Sequence, residues 1–167
     1  MRSLFVAVRA LLWASGFVAL WTWLALQVRA LDVAAGRYLP FVGVFPGLAL
    51  ALLGAALVLA CIVTFVVRGR GTPAPFDPPR EFVASGPYRL VRNPMYVGAF
   101  AVLAGAGLAF RSPSIVALAA VAVVLAHLVV VLVEEPGLER RFGESYRAYK
   151  ASVSRWIPRL PRSSATP

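Results

Sequence analysis

Of the chain's 167 residues, 60% are hydrophobic and only 14% charged, an apolar share well above that of an ordinary globular domain. Seventeen Lys and Arg against seven Asp and Glu give a net charge of +10. In a soluble protein that balance would suggest nucleic acid, but here the cations flank long apolar runs, which argues against that partner. The single cysteine, Cys61, excludes disulfides and thiolate zinc sites and reads as a small buried apolar residue.

The apolar runs predict spans at about 4–28, 41–67, 94–110 and 113–133. Three reach the roughly 20 residues a helix needs to cross a bilayer, and the third falls a little short. Backbone in hydrocarbon must satisfy its own hydrogen bonds, so such segments are helical. The expected fold is all-α and integral to the membrane, one domain of four transmembrane helices followed by an amphipathic interfacial helix. The first run has Arg2 and Arg9 before it and Ala34 and Ala35 behind, as a signal peptide does. Its apolar stretch 10–28 exceeds the roughly 7–15 residues of a signal core, so it reads as a retained span.

The second run carries Gly47, Ala51, Gly54 and Ala55 on one face, and the third repeats the pattern with Gly98, Ala101 and Gly105. Such stripes let backbones approach closely, and helix packing is their default explanation. Between them, 68–93 reads as a cytoplasmic loop that opens on a stiff proline strip at 71–79 and turns at Gly86-Pro87. Asn93-Pro94 and Ser112-Pro113 are N-cap and first-turn signals for the third and fourth helices.

His127 lies in the fourth run, two turns before Glu134. It reads either as a functional group facing a cavity or as an interhelical hydrogen-bond partner. Past Glu134-Glu135-Pro136-Gly137, the tail 134–167 repeats Leu138, Phe142, Tyr146, Tyr149 and Val153 at helical spacing, with Trp156 and Ile157 as interface anchors. If the spans alternate, fourteen of the seventeen cations fall on the side of both termini and the 68–93 loop, leaving Arg29, Arg37 and Arg111 opposite. That asymmetry predicts cytoplasmic termini and attraction to anionic lipid headgroups.

No P-loop, HExxH or GxSxG is present, and Gly105-Ala106-Gly107 sits inside an apolar helix rather than after a strand. Two clusters remain. Residues 85–98 combine arginines, tyrosines and a helix start at the membrane surface, a setting that suits anionic ligand groups or, more blandly, an interfacial loop. Glu134-Glu135 places two carboxylates at a span end, where they must be solvated or paired.

In order and spacing, these clusters resemble the isoprenylcysteine carboxyl methyltransferase and phospholipid methyltransferase superfamily. Its pattern G-x-Y-x-x-x-R-H-P-x-Y-x-G is met by Gly86, Tyr88, Arg92, Pro94, Tyr96 and Gly98; Glu134-Glu135 follows, and then Phe142-Gly143 with Tyr146 and Tyr149. The resemblance implies S-adenosylmethionine as cofactor, bound by Arg80, Glu81, Phe82, Val83, Tyr88, Asn93, Pro94, Met95, Tyr96, Glu134 and Glu135. It implies a membrane lipid or lipidated small molecule as acceptor; the chemistry of the residues themselves suggests His127, Glu134 and Arg92 as the catalytic set. Two departures are informative. Asn93 replaces the family's usual histidine, and 129–133 holds only Val and Leu where carboxyl methyltransferases carry an arginine. An amine acceptor must lose a proton, which His127 or a glutamate would take. The small residues of the third helix suggest lateral entry of the acceptor between the third and fourth helices. Competing readings are an NADPH-dependent sterol-type reductase and a non-catalytic membrane subunit.

Overall fold

A computed structural model describes residues 2–64, 67 and 84–158. Helix α1 (Arg2–Ala34) leads through a short 3-10 turn (Phe41–Gly43) into α2 (Val44–Thr64). A second 3-10 turn (Gly86–Arg89) precedes α3 (Pro94–Ala109), which turns tightly into α4 (Pro113–Val129). A π-helical turn (Val130–Glu134) then joins α4 directly to α5 (Glu135–Ser152). Among the described residues no strand forms; Val91 and Ser154 make one isolated bridge.

Burial is inverted relative to a soluble protein. Asp32, Ser112, Glu135 and small residues such as Ala119 and Ala122 are inside, whereas Phe45, Leu52, Leu53 and Leu132 are each about 70% exposed. Large apolar side chains facing outward need a hydrocarbon solvent, so this is an all-α integral membrane fold. Ser15–Ala34, Phe41–Thr64 and the helix that begins at Pro113 are long and apolar enough to cross a membrane. At 16 residues α3 extends roughly 24 Å, shorter than the other three.

The two small-residue stripes meet each other. A Cβ added at Gly54 would lie 2.5 Å from the Gly98 carbonyl oxygen, and one at Gly105 would lie 2.5 Å from the Ala51 backbone nitrogen. These glycines bring α2 and α3 into backbone contact, as the packing explanation expects. They therefore face α2, which takes the small residues out of the case for lateral entry between α3 and α4 and leaves it on the position of the site and the apolar 129–133 stretch. At the other end of the bundle, Asp32 of α1 accepts hydrogen bonds from Ser112 Oγ and from Ser114 N and Oγ, tying α1 to the start of α4.

Two local expectations change. The fourth helix was expected to end at residue 133, yet it runs on into α5. Pro136 lacks an N–H, and its ring crowds the carbonyl four residues back. The wider turn, closed by Glu135 N–H to Val130 O, carries the helix past that obstacle. Asn93 occupies the N-cap position of α3 but makes no side-chain cap bond, whereas Ser112 caps α4 by accepting from Ile115 N at 3.2 Å.

Candidate functional site

The chain beyond α5 folds back against the loop that precedes α3. Gly143, at φ 54 and ψ −126, breaks α5 in a conformation open mainly to glycine, and Tyr146 and Tyr149 past it are buried. Tyr149 donates its hydroxyl to the Tyr88 carbonyl at 2.6 Å. Tyr88 packs on Cys61, and burial pushes its phenol well above the usual tyrosine range. Gly86, at φ 58, seats its turn against Thr64: an added Cβ would lie 2.8 Å from the threonine oxygen. Arg92 N donates to Ser154 O at 2.8 Å and Asn93 Nδ2 to Arg155 O at 3.3 Å.

The fold-back closes on Glu135. Arg155 reaches its two oxygens with Nε at 2.7 Å and Nη2 at 3.0 Å, and Arg92 Nη2 lies 3.0 Å from Oε1. Lys150 Nζ stands 3.9 Å away. The hydrogen bonds to Glu135 in turn hold the Arg155 guanidinium above its ordinary pKa. A forked pair of this kind is the strong form of ion pairing, and here it locks the tail to the span ends. Glu135 is thus saturated by protein cations. Arg92 also donates Nη1 to Lys150 O at 3.2 Å, while its buried Nε has no partner among the described residues.

Glu134, one residue earlier, faces a different environment. Its Oε1 accepts the Tyr96 hydroxyl at 2.5 Å, and its other oxygen takes no hydrogen bond from the described residues. Tyr96 in turn packs with Phe100 and Trp156, the three ring centroids lying 6.0–6.3 Å apart. The His127 ring lies 6.2 Å from that of Trp156, tilted by 39°, and the indole N–H donates to His127 Nδ1 at 3.1 Å. With Nδ1 accepting, a neutral imidazole carries its proton on Nε2. The lone pair that a general base would use is therefore engaged by Trp156.

Of the expected catalytic set, Glu134 and His127 are brought to one aromatic cluster, and Arg92 lies in the ion network behind it. Of the expected cofactor contacts, Tyr96 and Glu134 are joined directly. Tyr88 and Met95 pack with Cys61, Pro94 is buried at the start of α3, and Asn93 and Glu135 bind the tail. Arg80, Glu81, Phe82 and Val83, with the 71–79 strip, lie outside the described residues. The sequence reading missed Phe100, Lys150 and Arg155, and took Trp156 for an interface anchor. An arginine next to a tryptophan just past an amphipathic helix was the available signal. Beside the clasp, a cleft of about 460 Å³ is lined by Arg140, Arg147, Lys150 and Arg155 together with Glu135 and Glu139. Its cations suit a carboxylate or phosphate.

The sequence matches the family described as phospholipid methyltransferase over residues 42–145, a stretch running from the start of α2 into α5. No curated protein and no solved structure matches the chain.

Proposed function

The chain belongs to the phospholipid methyltransferase family, membrane methyltransferases acting on lipid, and from that premise we propose that it takes its methyl group from S-adenosylmethionine and gives it to the amine headgroup of a membrane phospholipid. The observation that carries this reading is Glu134, hydrogen-bonded to Tyr96, which itself belongs to an aromatic cluster with Phe100, Trp156 and His127.

Both reactants of such a transfer are cations, a sulfonium and an ammonium. Aromatic faces attract cations where water is scarce, and a carboxylate at the rim completes a cation site. The residues present fit that chemistry. The apolar 129–133 stretch, with Leu132 and Val133 exposed, offers no guanidinium for an acceptor carboxylate, which favours the amine. S-adenosylmethionine supplies a methyl group already activated for in-line displacement. The chain then has to align, exclude water and move one proton. In this reading Glu134 takes the proton of the lipid ammonium at its uncommitted oxygen, Tyr96 orients that carboxylate, and the aromatic rings hold the cationic centre. The basic cleft beside Arg155 receives the methionyl carboxylate or the lipid phosphate.

S-adenosylhomocysteine should raise the midpoint of thermal unfolding of purified protein, by mass action on the folded state, and NADPH should not. Glu134→Ala and Tyr96→Ala should each abolish that rise while the unliganded protein still unfolds in a cooperative transition. Normal ligand stabilisation in both variants would remove the site from consideration.

A further inference from the structure

At the end of the bundle far from the glutamates, three arginines gather around the α3–α4 turn. Arg29 comes from α1, Arg37 from the segment after it, and Arg111 from the turn itself. Leu39 and Arg111 hold this end together: Leu39 N donates to Arg111 O at 2.9 Å, and Arg111 Nε donates to Leu39 O at 2.8 Å. The nearby acid, Asp32, is 1% exposed. It already accepts from Ser112 Oγ, Ser114 N and Ser114 Oγ, with Arg37 at 3.6 Å. Three guanidiniums against one satisfied carboxylate leave an excess of two positive charges.

Those charges are poised for a ligand. The Arg29 guanidinium lies 5.0 Å above the Phe110 ring and that of Arg111 lies 5.7 Å from the Tyr38 ring. Arg29 Nε is buried without a hydrogen-bond partner among the described residues. The terminal nitrogens of Arg111 make no hydrogen bond to the described residues, and the Arg37 side chain is 60% exposed. Arg111 also adopts φ 55, a left-handed conformation that glycine enters without strain and arginine does not. A strained arginine in a tight turn, where glycine would be easier, points to a use for its charge.

We infer that Arg29, Arg37 and Arg111 bind the phosphodiester of an anionic membrane lipid at the end of the bundle opposite the methyl-transfer site. Guanidinium forks match phosphate oxygens in pairs. The exposed rings of Tyr38, Phe41 and Phe110 flank the charges with apolar surface, which suits acyl chains and favours a lipid over a free anion. The site is independent of the acceptor chemistry.

The test is native mass spectrometry of the full chain in a neutral detergent, titrated with phosphatidylglycerol, phosphatidylcholine or inorganic phosphate at matched ionic strength. Wild type should retain phosphatidylglycerol in preference to the other two. Arg37→Gln and Arg111→Gly should each weaken that binding about tenfold, the change expected from one lost charge-assisted hydrogen bond. Arg141→Gln, an exposed cation on α5, should leave it unchanged. Arg111→Gly suits the turn's φ and keeps the Leu39 N to Arg111 O bond but gives up the Nε bond to Leu39 O, so an unchanged thermal midpoint without lipid distinguishes lost affinity from lost fold. Equal lipid affinity in all variants would overturn the inference, as would inorganic phosphate binding as tightly as phosphatidylglycerol.

Discussion

Glu134 and Glu135 are neighbours in sequence and opposites in circumstance. Glu135 is 5% exposed and held by Arg92 and Arg155, so losing its charge strands two guanidiniums. Glu135→Gln should lower stability by about 3–5 kcal/mol, the usual scale for removing one partner of a buried pair, measured by denaturation in detergent. Glu134→Gln should leave stability within about 0.5 kcal/mol, as for a change away from buried pairs, and remove turnover. Equal effects of the two variants on stability would contradict this division. The sequence marked both glutamates as cofactor contacts and Glu134 alone as catalytic, but did not show Glu135 as the anchor of the tail. Adjacency cannot separate them, because the partners of Glu135 come from 43 residues before it and 20 after. Trp156 was read as an anchor for a related reason: helical periodicity announces a helix but not that the chain beyond it doubles back.

Element boundaries show the same limit on a larger scale. Among the described residues a helix lies in each apolar run, whereas α5 was signalled by its amphipathic spacing, and the small-residue stripes of α2 and α3 are mutual contact surfaces. Gly98→Leu should therefore disrupt α2–α3 packing, costing about 1–3 kcal/mol by overpacking and lowering the yield of folded protein from the membrane. What composition hid was the continuity of α4 with α5, because Glu134-Glu135-Pro136-Gly137 looks like a helix end. A proline inside a helix is accommodated by widening the turn before it, and that turn aims Glu134 at Tyr96. Pro136→Ala should let the turn tighten and rotate Glu134 away, reducing turnover at least tenfold with thermal stability unchanged or higher. Full activity would show that the π turn does not aim the carboxylate.

For the whole molecule, charge asymmetry and site position make one account. Fourteen cations lie on the side proposed as cytoplasmic, and the aromatic cluster, the clasp and the basic cleft sit at that end of the bundle. In a Cys61→Ala background, a membrane-impermeant thiol reagent applied from outside should label Ala35→Cys and miss Ala84→Cys; the reverse pattern would invert the topology. The most direct test of the central claim supplies S-adenosylmethionine labelled on its methyl group, with defined phospholipid vesicles, to the purified protein. An amine-bearing phospholipid should acquire label that survives alkaline treatment, and Glu134→Gln should transfer none. Label released by base would mean a methyl ester and contradict an amine acceptor, and no transfer to any lipid would contradict the methyltransferase reading itself.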